Sequence, residues 1–359
     1  MSAEERNKKA KQYVTGKLDY ASTLTEDDFS TLKNYHSLAQ TLDHLINVKA
    51  MGFRGVVATA ITGLYLSNAY DPLKDFYSCN PRSIFEKGIF YAFENRIPCG
   101  KSDPLNVAKN INVLDDEWAN GKRPHSSAQA AVNYLRNITN ANGDVRENLI
   151  NFFFFRLLKY SEKVKSISIS IPNTNEISNQ AFSNKLISFT LDIPESGTIP
   201  QLVIFILLKK VYENSATNVE GGNESVFGTN TTSKKPADIW LEVNYIPISL
   251  FEVTVKVIDE KRLDDCLESL QLVNMLDKPI HFICRIPKDI ESLSDVKNST
   301  LNYKGKNFNF VDIASFISSL CTLLTTEQIN EIRDELTSFI EKIDRPVKTK
   351  EGWNNIFKS

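Results

Sequence analysis

The stretch Lys235-Pro236-Ala237-Asp238-Ile239-Trp240-Leu241-Glu242-Val243, followed by Leu250-Phe251-Glu252-Val253-Thr254-Val255-Lys256, alternates apolar and polar residues. Side chains on a strand point to opposite faces with period two. Each half therefore reads as a strand. Ile239, Leu241 and Val243 line one face of the first, and Phe251, Val253 and Val255 one face of the second. Between them, Asn244-Tyr245-Ile246-Pro247-Ile248-Ser249 suits a turn. Folding back around 244–247 brings Asp238 opposite the neighbourhood of Glu252, and facing Cβ atoms lie about 4.5–5.5 Å apart. Two carboxylates and Lys256 then share one polar face. Two acids so placed repel unless a positive charge stands between them, a need that a hard divalent cation such as Mg²⁺ meets. Such a cluster can attack a phosphodiester, with Asp238 and Glu252 as metal ligands and Lys256 supporting the developing charge. A hairpin whose charges merely face water alternates in the same way, so the pattern alone leaves both readings open. Two details favour a site: an Asp on a strand works against β propensity, and the order acid, acid, lysine across two paired strands is specific.

That order resembles the PD-(D/E)xK nuclease superfamily. Pro236-Ala237-Asp238 is similar to its Pro-Asp element with one residue inserted, and Glu252-Val253-Thr254-Val255-Lys256 to its acid-x-lysine element. The usual acid lies two residues before the lysine, where this chain has Thr254; Glu252, four before, supplies the carboxylate instead. Two further runs resemble type II restriction endonucleases of the SacI kind: residues 70–88, which include Cys79-Asn80-Pro81-Arg82, and residues 97–109, which include Pro98-Cys99-Gly100-Lys101-Ser102-Asp103-Pro104. The resemblance covers roughly half of the chain. It implies a Mg²⁺-dependent, site-specific endonuclease of double-stranded DNA, with catalytic Asp238, Glu252 and Lys256. Thr254, and Glu147 early in a helix, would flank the site. It also implies a homodimer, whose two-fold symmetry matches a palindromic site, and a cognate DNA methyltransferase as functional partner.

The 359 residues are 42% hydrophobic and 24% charged, enough to bury one large core or two ordinary ones. A net charge of −2 argues against a purely electrostatic DNA binder, so any DNA contact must come from local patches. Candidates are Arg82, Lys101, Lys109 and Arg123 in the loop-rich stretch 70–125, where cations alternate with Phe76, Tyr77, Phe85 and Tyr91. Arg and Lys grip phosphates and read guanine edges. Gly100-Lys101-Ser102 is no P-loop tail, because Asn95 stands where the first glycine is needed. Five dispersed cysteines without a C-x-x-C pair argue for a reducing compartment and against structural zinc. The N-terminus lacks the apolar run of a signal peptide, and no run approaches the ~20 apolar residues of a membrane span, so a cytoplasmic protein is expected.

The expected fold is α/β (α+β): a mostly helical region over 1–143, with a possible DNA-recognition role, then a nuclease-like domain over 144–359 with a mixed sheet flanked by helices. The first 22 residues read as a solvated helix. Helical periodicity runs from Tyr35 to Tyr70, and Ala128 to Ile138 forms a further helix ending at the polar break 139–143. A helix from Val145 to Lys163 carries Phe152-Phe153-Phe154-Phe155. Residues 166–171 and 187–193 read as strands and Leu202 to Tyr212 as a helix. Residues 213–235 read as a flexible insertion. A helix over 259–272 and a strand over 279–287 complete a parallel crossover from the Lys256 strand. Helices over 310–324 and 326–343 close the chain. The alternative function is a non-catalytic DNA-binding or interaction protein with a charged sheet face.

Overall fold

A computed structural model of the chain describes residues 2–48, 50–171, 178–222 and 235–357. They form two compact units: residues up to Ser168 with Lys342–Val347, and Ile169–Glu341 with Lys348 onward. The mixed α/β class and the order, helical region before sheet, are as expected. The division falls at 168 and not at 143, so the helix expected to open the second domain belongs to the first unit. Among the described residues, no single helix is long and apolar enough to cross a membrane.

The first unit is helical: α1 (Ala3–Ala21), α2 (Tyr35–Ile46), α3 (Met51–Leu66), α4 (Pro81–Ile84), α5 (Phe90–Phe93), α6 (Asp103–Ala108), α7 (Asp116–Asn120), α8 (His125–Asn140) and α9 (Gly143–Ser166). The polar N-terminus is no solvated helix. Ala10, Val14, Leu18 and Ala21 recur three or four residues apart and are buried, giving α1 a packed stripe. Helix α3 is buried on every side, including Arg54, which donates to the carbonyls of Ile46 (2.9 Å) and Pro98 (2.8 Å). Its glycines admit a close neighbour: a Cβ on Gly52 would stand 2.8 Å from the Asp103 carbonyl oxygen.

The second unit holds a six-stranded mixed sheet in the order β1-β2-β3-β4-β6-β5. Its strands are β1 (Thr217–Gly221), β2 (Ile239–Val243), β3 (Ile246–Val253), β4 (Ile280–Cys284), β5 (Thr300–Tyr303) and β6 (Lys306–Asp312). Its helices are α10 (Asn179–Asp192), α11 (Thr198–Val211), α12 (Glu260–Leu272), α13 (Ile313–Thr322), α14 (Thr326–Glu341) and α15 (Val347–Phe357). The β2–β3 hairpin closes through Asn244 and Tyr245, both with positive φ (51° and 65°), as a two-residue loop matching the strand twist requires. Strands β3 and β4 are parallel, with α12 as the crossover between them.

Both sheet faces are covered. Ile239, Leu241, Phe251, Val253 and Ile283 pack with residues of α10, α11, α13, α14 and α15. On the other face Leu250, Ile280, Phe282, Phe308 and Phe310 pack with Leu263, Cys266 and Leu270 of α12. The hairpin face expected to be polar is therefore an interior face.

Several expected elements change. Residues 187–192 belong to α10, which Ile193 caps, and are no strand, because Phe182, Leu186 and Phe189 form a helical stripe that is fully buried. The expected strand 166–171 is absent: Ser166 ends α9, 167–171 lie outside the sheet, and the Ser170 backbone bonds to α15, its N–H donating to Asn354 Oδ1 (2.7 Å) and its carbonyl accepting from Trp353 Nε1 (2.9 Å). The segment 213–235 contains edge strand β1, while its part 223–234 lies outside the described residues. The β5–β6 hairpin was not anticipated, and Phe310, expected to open a helix, sits in β6.

Candidate active site

Asp238 directly precedes β2 and is held from both sides. The pairing Ile239↔Phe251 sets it opposite Glu252. The Val253 amide donates to Asp238 Oδ2 at 3.0 Å, and the Gly222 amide to the Asp238 carbonyl at 2.9 Å. The neighbouring strand can come this close because Gly221, at φ +86°, has no side chain: a Cβ there would lie 2.3 Å from the Asp238 carbonyl oxygen. Desolvation by burial lifts the Asp238 carboxyl above the ordinary range, against the Val253 amide and the charges of Arg262 and Lys235.

Glu252, near the end of β3, is only 7% exposed. Its Oε2 stands 3.6 Å from Nη2 of Arg262 on α12. Sequence reading passed over Arg262. A signal was available: Arg262 is the third residue of α12, behind the N-cap Asp259 that accepts from its amide at 2.9 Å. A cation is disfavoured in a helix's first turn, so an Arg there needs an acidic partner elsewhere. Cys266, one turn on, is buried against the same group; desolvation first, then the charge of Glu252, pushes its thiol far up.

Lys256 does not continue β3, which ends at Val253. It is exposed, on an irregular segment that joins β3 to α12. Thr254 is buried and spends its groups locally: its amide donates to the Ile283 carbonyl at 3.0 Å, and its Oγ1 accepts from the Lys256 amide at 3.1 Å. That is the role of a spacer that turns the chain at Lys256. Glu147, on α9, forms an ion pair with Lys17 of α1.

Among the described residues no group of three or more His, Cys, Asp or Glu is placed to hold a metal. Asp238 and Glu252 stand opposite each other by the register of β2 and β3, and the Val253 amide occupies Oδ2 of Asp238. Oxygen donors from one or two carboxylates fit Mg²⁺, which keeps several waters and takes further ligands from substrate phosphates; structural zinc sites are built from Cys and His instead. A carboxyl left undercompensated in the interior is also one that a cation would stabilise in its charged form.

In the first unit Arg82, Lys101, Lys109 and Arg123 are all exposed. Glu86 ties two of their segments together, with Arg82 Nε 3.8 Å from its carboxylate and Ser102 Oγ donating to it at 3.1 Å. Arg123 is turned back on its own loop, donating to the Lys122 carbonyl at 2.9 Å.

No protein-family model matches the chain, and no curated protein matches it.

Proposed function

We propose that the chain is a Mg²⁺-dependent, site-specific endonuclease of double-stranded DNA, of the type II restriction kind. It would act in the cytoplasm as a homodimer, alongside a cognate DNA methyltransferase. The observation that carries this reading is the Ile239↔Phe251 register, which sets Asp238 opposite Glu252 in the interior of the sheet. Asp238 and Glu252 would hold the metal, the Val253 amide fixing the orientation of Asp238. When bound, Mg²⁺ supplies phosphate polarisation and a more acidic water. Lys256, exposed just beyond β3, would meet the charge that develops on the phosphate. Arg82, Lys101, Lys109 and Arg123 would contact DNA.

The test is incubation of the protein with long duplex DNA, with and without Mg²⁺, beside Asp238→Asn and Lys256→Ala. Discrete Mg²⁺-dependent fragments that vanish in both variants support the reading; no cleavage under any condition removes it.

One observation favours a second reading. The guanidinium of Arg262 already places a positive charge beside Glu252, as in a purely structural ion-pair cluster. The chain would then be a non-catalytic DNA-binding or interaction protein, and all three proteins would bind DNA equally without cutting it.

A further inference from the structure

The segment that carries Lys256 is irregular, yet its backbone is fixed on both sides. Upstream, the Thr254 amide donates to the Ile283 carbonyl of β4 at 3.0 Å. At Val255 the carbonyl accepts from Arg285 Nη2. Downstream, the Ile258 amide donates to the Asp289 carbonyl at 2.7 Å, and the Ile258 carbonyl accepts from Ser292 Oγ at 2.9 Å. Three of these four anchors lie just beyond the C-terminal end of β4, at Arg285, Asp289 and Ser292.

Arg285 and Asp289 also brace each other. Asp289 is completely buried. Its Oδ2 accepts from both the amide and the Nε of Arg285, each at 2.9 Å, and its Oδ1 from Nη2 at 2.7 Å. The Asp289 amide returns a bond to the Arg285 carbonyl at 2.8 Å. A bidentate carboxylate locks the guanidinium plane, so Nη2 is aimed at Val255 and not left to sample rotamers. A lysine could neutralise Asp289 but could not hold the carboxylate in a fork while reaching a second acceptor. An ion pair with one partner buried is weak evidence for stability, since apolar residues of the same volume would often serve as well. Its specific product here is the placement of one carbonyl, next to Lys256.

We propose that Arg285 and Asp289 are positioning residues, which clamp the chain on both sides of Lys256 and so set where its amine is presented. The inference rests on the nuclease reading only for what Lys256 does once it is placed.

The test uses the full chain with Arg285→Lys, Arg285→Ala, Lys256→Ala and the double variant Arg285→Ala/Lys256→Ala. Amide hydrogen exchange across 255–258 should rise ~10-fold or more in both Arg285 variants, while exchange in the β2–β3 hairpin stays as in the wild type. Arg285→Lys keeps the positive charge opposite Asp289 and guards against a variant that simply fails to fold. Single-turnover cleavage should fall roughly 10- to 100-fold at unchanged DNA affinity. On the Lys256→Ala background, Arg285→Ala should cost less than about twofold more, because both changes remove the same placed amine. Unchanged exchange across 255–258, or losses that multiply in the double variant, would overturn the proposal. If the wild type cuts no DNA, the nuclease reading fails, and the exchange measurement alone still decides whether the clamp exists.

Discussion

Arg262 Nη2 stands 3.6 Å from Glu252 Oε2, so the helix that follows β3 sets a guanidinium beside that buried carboxylate. Removing it should leave the buried Glu252 carboxylate less compensated, which is costly. Arg262→Met keeps the length of the side chain and drops the charge. It should lower stability by roughly 1–3 kcal/mol, below the ~3–5 kcal/mol for breaking a fully buried pair, because the arginine is partly exposed. Mg²⁺ discriminates the two functional readings here. If Asp238 and Glu252 hold the metal, added Mg²⁺ should raise the melting temperature of Arg262→Met more than that of the wild type, by mass action on the folded state. Equal response of the two proteins would favour the structural ion-pair reading.

Asp238→Asn should separate stability from function. Burial raises the Asp238 carboxyl pKa, so the folded state holds its proton more tightly than the unfolded chain. Stability therefore falls as pH rises from the unfolded value of about 3.9 through the folded one, and the full cost is present above it. Asparagine never carries that charge, and its carbonyl oxygen can still accept from the Val253 amide. Calorimetry should find Asp238→Asn melting above the wild type near neutral pH, with the gap closing toward pH 4. Cleavage should be lost throughout. A variant that melts lower at neutral pH would mean that the carboxylate is not strained.

The hairpin was legible because a period-two pattern fixes the face of each residue, and the register then follows from a short turn. That gave the pairing of Asp238 with Glu252. The surroundings were not legible from local pattern. Glu252 and Thr254 read as part of a polar face, yet both are buried, and Arg262 of α12 stands 3.6 Å from Glu252. Lys256 looked like a strand residue, but Thr254 turns the chain through a side-chain bond that alternation does not encode. Strand β1 escaped notice because Thr217-Asn218-Val219-Glu220-Gly221 carries one strong apolar residue and owes its conformation to pairing with β2. The helix across 187–192 was missed because a strand pattern was read in a window too short to show the stripe from Phe182 to Phe189.

Gly221→Ala should damage the site from outside it. The position needs a positive φ, and a methyl group there would lie 2.3 Å from the backbone oxygen of Asp238, which cannot swing aside as a side-chain end could. Strain at φ together with the forced separation of β1 from β2 should cost about 2 kcal/mol or more. Cleavage should fall further than DNA affinity does, because the displaced atom belongs to a proposed metal ligand. Wild-type activity in this variant would show that Asp238 tolerates movement and is no ligand.

Asp103 in the first unit offers a titration that is independent of the proposed chemistry. Only 3% exposed, it caps the Gly100 amide through Oδ2 at 2.8 Å, and burial still pushes its pKa up to about 6 against that bond and against Arg54. A raised carboxyl binds its proton more tightly in the folded state, so it lowers stability as pH climbs from about 3.9 to about 6. A shift of that size corresponds to roughly 2–3 kcal/mol. Asp103→Asn removes the titration and leaves an oxygen for the Gly100 amide. Urea unfolding of the two proteins across pH 4 to 7 should give curves that diverge through this window, the variant being the more stable at the upper end. Parallel curves would place the Asp103 carboxyl in contact with water and remove it from the interior of the first unit.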